Sequence, residues 1–223
     1  MQMKQYKIKD CYGFLSLLII GVIASAIALI LLPKHQLHIS ITAHHSPAAD
    51  VFFRAYTHLG EAWVWALALI FLFIRFKDAI LIIASQLTAG LFAQIIKHIY
   101  NAPRPKVYFA QLFPEITLHQ VPDVQLHSWH SFPSGHTTTA FALFMALTCI
   151  VAARNKPLQV LFFFMALLVA YSRIYLSQHF LIDVCAGAII GASAAIIWAH
   201  YLNKSTAPAL QSSLLKIKSK KNT

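Results

Sequence analysis

The stretch SFPSGHTTTA, residues 131–140, sets Pro133, Ser134, Gly135 and His136 immediately before an uncharged, largely apolar run. Ser134 is a natural helix N-cap, and Gly135 lets a ligand approach the backbone closely. The unpaired N–H groups of the following first turn suit a phosphate, with His136 beside it able to give a proton. A capped helix start with an incidental histidine would have the same sequence. In KHIYNAPRP, residues 97–105, Pro103 and Pro105 hold Arg104 in extended chain, from where it can point back toward Lys97. Two cations snorkelling at an interface are the alternative there. In SRIYLSQHFLID, residues 172–183, His179 and Asp183 stand four apart and share one face if the segment is helical. Asp183 accepting the N–H of His179 would fix the ring's tautomer and leave the other nitrogen free to attack, with Arg173 in the short loop before them as a third cation. A structural His–Asp pair is the alternative.

Together the three stretches supply two or three cations, a helix N-terminus, one histidine placed to give a proton and one oriented by a carboxylate. That set suits a group carrying about two negative charges and gaining more in a trigonal-bipyramidal transition state. An activated imidazole suits covalent catalysis, which splits a hydrolysis into two displacements. Phosphomonoester or diphosphate hydrolysis fits all of these parts. No carboxylate cluster or Cys/His set at metal spacing stands out, so the cations would take the place of Mg²⁺, and no metal or other cofactor is expected. His44 and His45 lack companions at such spacing and read as solvated loop histidines.

What positions these residues is a strongly apolar chain. Of 223 residues, 58% are hydrophobic and 11% charged, too apolar for an ordinary soluble domain. Mostly apolar runs at 13–32, 62–74, 79–96, 137–153, 158–171 and 180–198, uncharged except for Asp183, approach the ~20 residues that cross a bilayer, the shorter ones by borrowing a few flanking polar residues. The expectation is an all-α, polytopic membrane protein with six transmembrane helices in one bundle. It comprises a single domain at 1–204 and a flexible basic tail at 205–223. The first run is longer than a signal-peptide core and lacks a small-residue cleavage site before Pro33, so it reads as an uncleaved helix. Cys11, Cys149 and Cys185 read as small apolar residues. GAIIG at 187–191 offers a small-residue face for packing within the bundle.

The net charge of +11 does not point to nucleic acid, because of where the charges sit. Lys4, Lys7, Lys9, Arg75, Lys77, Arg154, Lys156, Lys204, Lys216, Lys218, Lys220 and Lys221 all fall on one side if six helices alternate. The positive-inside rule then puts both termini in the cytoplasm and the three motif stretches outside. The basic tail would meet anionic lipid rather than a nucleic acid. The loop at 101–133 lies outside too, with Phe109, Phe113 and Trp129 able to rest on the interface, as Trp63 and Trp65 can. Glu61, just before those tryptophans, could touch a headgroup.

The pattern K-x6-R-P, P-S-G-H and S-R-x5-H-x3-D, at 97–105, 133–136 and 172–183, resembles the type 2 phosphatidic acid phosphatase superfamily, with every motif position matched. The resemblance covers roughly 60–200. It implies His179 as the nucleophile forming a phosphohistidine, Asp183 orienting it, and His136 as the general acid. Lys97, Arg104, Ser134, Gly135 and Arg173 would hold the phosphoryl oxygens. It further implies a metal-free enzyme acting on a membrane lipid phosphate at the periplasmic or outer face of a bacterial inner membrane, with no obligatory protein partner. Undecaprenyl diphosphate is the substrate it favours, with lipid A phosphate, phosphatidylglycerol phosphate and phosphatidate as the other classes. Two readings compete. A vanadate-dependent haloperoxidase shares the oxyanion motif but is soluble, and a lipid-phosphate binding or transport accessory would need the cations without His179 and Asp183.

Overall fold

A computed structural model describes residues 5–61 and 63–221; Lys4 and Ala62, and the side chains of Lys218, Lys220 and Lys221, lie outside the described residues. The described chain holds ten α-helices and no strand. The long apolar ones are α1 (Tyr12–Leu31), α5 (Phe76–Tyr100), α8 (Lys156–Tyr175) and α9 (Leu181–Lys204). Shorter ones are α2 (Lys34–Ile41), α3 (Pro47–Tyr56), α4 (Trp63–Ile74), α6 (Pro105–Leu112), α7 (Gly135–Val151) and α10 (Leu214–Lys221).

Local chemistry sets these boundaries. Leu32 is extended before Pro33 and ends α1. Ser46 caps α3 by accepting from the Ala49 N–H, with Pro47 in the first turn. Asn155 does the same for α8 through Leu158 N–H, again with proline following.

Four helical segments among the described residues are long and apolar enough to cross a membrane, or five if α3 and α4, bent by 46° about a short break, count as one. The 17-residue α7 is apolar but shorter. Ile19, Ile23, Ile27 and Ile30 on α1, with Leu69, Leu91 and Ile197 elsewhere, lie exposed to a degree that water would penalise and acyl chains would not. The chain is an integral membrane protein.

α7 is the axis of the bundle: from Thr137 to Ile150 nearly every side chain is buried, and α5, α8 and α9 pack around it. α9 approaches most closely through Gly187 and Gly191. A Cβ on Gly187 would stand 2.7 Å from the Ser134 carbonyl oxygen, and one on Gly191 would collide with the Thr138 carbonyl. The small face in GAIIG therefore docks α9 on α7 inside the bundle. At the end opposite the motifs, Asp78 accepts from the Tyr6 hydroxyl at 2.6 Å and pairs with Arg75, while Asn203 bonds the Tyr6 backbone in both directions. This network ties the N-terminal segment to α5 and α9. Where a flexible tail is expected, the structure has a 3-10 turn at Pro208–Gln211 and α10, and the Phe76 N–H donates to the Ser212 carbonyl at 2.9 Å.

Candidate active site

All eight residues singled out for phosphate chemistry lie at one end of the bundle. Lys97 sits in the last turn of α5 and is 7% exposed; its ammonium donates to the His130 carbonyl at 2.6 Å. Asn101, left-handed at φ 37°, ends that helix and turns the chain toward Pro103. Arg104 is extended (φ −80°, ψ 166°) and serves as N-cap of α6. Rather than touching Lys97, it donates through its backbone to Ser128 O, and through Nε to Trp129 O, each at 2.9 Å. Its Nη1 donates to Gln178 Oε1 at 2.9 Å. The successive carbonyls of Trp129 and His130 thus bridge the two cations, whose charges act on each other.

Arg173 belongs to the last turn of α8, not to the loop the sequence suggests. It is 6% exposed, and its Nη1 donates to Thr57 Oγ1 at 2.8 Å. Its buried Nε has no hydrogen-bond partner among the described residues, which is costly unless an acceptor is supplied.

The helix opened by PSGH starts at Gly135, with Ser134 in the N-cap position. The Ser134 hydroxyl accepts from Thr137 Oγ1 at 3.0 Å and makes no cap to the backbone, so it leaves the first-turn N–H groups to another acceptor. The Ser134 N–H donates to the Asp183 carbonyl at 2.9 Å, fastening this turn to the start of α9. A Cβ placed on Gly135 would meet nothing within 4 Å, so the backbone there faces open space. His136 Nε2 lies 2.6 Å from Glu61 Oε1, and Glu61 Oε2 lies 2.8 Å from His58 Nδ1.

His179 and Asp183 do meet, but not along one helical face. His179 is in the turn between α8 and α9, where the N–H groups of Gln178 and His179 both donate to the Arg173 carbonyl, at 3.0 and 3.1 Å. Asp183 is in the first turn of α9, and its Oδ2 accepts from the Phe180 N–H at 2.9 Å and from the Ser131 hydroxyl at 2.5 Å. That same oxygen lies 3.5 Å from His179 Nδ1, within ion-pair range but too long for a good hydrogen bond, and Nδ1 has no other partner among the described residues. The two residues are brought together by a capping turn. Burial of His179 (1% exposed) pushes its imidazole down to about 3 against the pull of Asp183, with Arg104 and Arg173 acting in the same direction as burial. At neutral pH it is an uncharged ring with a lone pair, beside two guanidinium groups.

Several partners carry no sequence signal of their own. Ser131, Thr57 and Gln178 are ordinary polar residues until the fold places them on Asp183, Arg173 and Arg104. Glu61, read as a headgroup contact, instead grips His136. Phe109 is buried against His38 and Phe180 rather than lying on an interface, and Phe113 stacks on His35. Trp129 is exposed. The 101–133 loop is also not wholly irregular, since it contains α6. Away from these motifs, His45 gains the companions that spacing alone did not reveal: ligating atoms of His45, Asp50 and His119 lie within 4.8 Å of one another.

One end of a helical membrane bundle thus gathers buried cations, open helix-start amides and an uncharged histidine. The chain belongs to the PAP2 superfamily, whose family model matches residues 78–207. It is 26% identical over 182 residues to the lipid A 4'-phosphatase of Porphyromonas gingivalis, covering 77% of this chain and 72% of that one. It is 30% identical over 156 residues to the undecaprenyl-diphosphatase of Sulfolobus acidocaldarius, covering 67% of this chain and 68% of that one. Among solved structures it is similar to LpxE of Aquifex aeolicus, with TM-score 0.63 and 31% identity over 77% of this chain and 97% of that one.

Proposed function

We propose that this enzyme, a lipid phosphatase of the PAP2 superfamily, removes the terminal phosphate of a membrane lipid phosphate or diphosphate through a phosphohistidine on His179. The observation that carries the reading is the convergence of Lys97, Arg104 and Arg173 with the open start of α7 beside His179. Lys97, Arg104, Arg173, the Ser134 hydroxyl and the Gly135 amide hold the phosphoryl oxygens and offset the charge that grows on them. The free nitrogen of His179 attacks phosphorus as the bond to the lipid oxygen breaks, and His136, held by Glu61, gives that oxygen its proton. Water then attacks phosphorus, passing a proton back to His136 as the P–N bond breaks, and inorganic phosphate leaves with both histidines restored. Asp183 orients His179 and offsets its charge while the phosphoryl group is attached. None of these steps asks for a metal at the phosphate.

In the same reading α1, the α3–α4 pair, α5, α7, α8 and α9 are six spans of one domain at 1–204. Both termini are cytoplasmic and the site opens on the periplasmic or outer side of a bacterial inner membrane. An apolar groove lined by Leu18, Val22, Phe163, Leu167, Leu181 and Val184 takes a lipid chain, and its last two residues flank Asp183. Undecaprenyl diphosphate is the favoured substrate and lipid A phosphate the second, each the namesake substrate of a relative.

The test is phosphate release by detergent-purified protein from polyprenyl diphosphate, lipid A, phosphatidylglycerol phosphate and phosphatidate, with EDTA present and beside His179→Ala. Release that survives EDTA and falls at least about a thousandfold in the variant supports the reading. No release from any lipid by folded protein overturns it in favour of a binding protein.

A further inference from the structure

We propose that His45, Asp50 and His119 form a site for one divalent transition-metal ion of the zinc class, which fastens the segment after α6 to α3 and the end of α8. The three residues come from separate places: His45 from the turn between α2 and α3, Asp50 from the first turn of α3, and His119 from the loop before α7. His119 Nε2 lies 3.0 and 3.2 Å from the two carboxylate oxygens of Asp50, a separation that suits two ligands on one zinc at about 2.0–2.2 Å each. The ring of His45 lies against that of His119 with centroids 3.8 Å apart, and one ligating atom from each of the three residues lies within 4.8 Å of the others.

An Asp50–His119 ion pair alone would explain two of these residues but not the third. It leaves the buried Nδ1 of His45 without a hydrogen bond of good geometry among the described residues, and it does not use the second imidazole that lies against the first. A metal uses all three. Asp50 is 9% exposed, and the Tyr175 hydroxyl donates to its Oδ1 at 2.5 Å, the kind of outer contact that fixes a ligating carboxylate. Two imidazoles and one carboxylate select zinc or a neighbouring transition metal over Mg²⁺ or Ca²⁺, which take oxygen ligands.

The consequence is positional. Val121, two residues beyond His119, is buried against Tyr175 and Leu176, and the Gln125 carbonyl accepts from Gln178 Nε2 at 2.9 Å. The same loop goes on to supply the carbonyls that hold Arg104 and Lys97. A metal at this point pins the loop's first half, and the phosphate chemistry stays metal-free.

Tag-free full-length protein in detergent is stripped with EDTA, dialysed and titrated with ZnCl₂ or MgCl₂. Bound metal per chain is then measured after gel filtration, and amide exchange is followed over 113–130. The proposal expects one zinc per wild-type chain, one in His179→Ala, slower exchange with zinc, and no retained magnesium. It expects loss of that zinc in His119→Ala and Asp50→Asn, and binding about tenfold weaker in Tyr175→Phe. If His119→Ala does not fold, Asp50→Asn and His45→Gln carry the comparison. Wild-type protein that retains no zinc, or ligand variants that retain as much as wild type, would overturn it. So would a preference for magnesium.

Discussion

His179 is buried beside two arginines and one aspartate, and its state of protonation follows from that company. The unfolded chain takes a proton on this ring from about its ordinary 6.5 downward, whereas burial holds the folded ring neutral until about 3. Between those values the unfolded state binds more protons, so stability falls as pH drops through that window and is unaffected by this group above it. His179→Gln removes the titration. Denaturation midpoints followed from pH 7 to 4 should therefore decline less steeply in the variant than in wild type, and parallel declines would refute the assignment. Gly135 gives a second prediction at this scale. Since a Cβ there meets no protein atom, Gly135→Ala should leave the thermal midpoint unchanged or slightly raised. Its kcat/KM should fall at least about tenfold, because the methyl occupies space that a phosphoryl oxygen needs. Unaltered kinetics would remove Gly135 from the phosphate site.

At the scale of elements, the site depends on how closely α9 rests on α7, since this contact sets the Ser134 N–H on the Asp183 carbonyl. Gly191→Val would force the two helices apart at the Thr138 carbonyl and cost about 1–3 kcal/mol. A midpoint lowered by several degrees in detergent, with phosphatase activity lost in parallel, is the expected outcome. An unchanged midpoint would mean that the helices do not pack this way. The long helices were legible in the sequence because each corresponds to an apolar run that is uncharged except for Asp183, and the structure extends most of these runs by only a few residues. The short helices α2, α3 and α6 were not: α2 and α6 carry little helical periodicity, and α3, although amphipathic, is only ten residues long against a loop background. The site's motif residues were legible from type and spacing. Their supports Ser131, Thr57 and Gln178 were not, because nothing but the fold relates residue 57 to residue 173. The same limit hid His45 from His119, 74 positions away in sequence and stacked in space.

Over the whole molecule, one end of the bundle holds buried cations and histidines, and the other holds the Tyr6–Asp78–Asn203 network. Spans wide enough for a bilayer lie between them, with aliphatic side chains facing outward. A phosphate carried on a lipid reaches such a site without leaving the membrane surface, while its chain stays among apolar helices. The account's central claim is that the phosphoryl group passes through His179. The direct test is to quench the enzyme during turnover of a lipid labelled in its terminal phosphate, and to map the label on the protein. The account predicts an acid-labile, base-stable phosphate on the peptide containing His179, formed more slowly in His136→Ala, where proton delivery to the leaving oxygen is impaired, and absent from His179→Ala. Continued turnover with no labelled protein, or label on a peptide without His179, would contradict it.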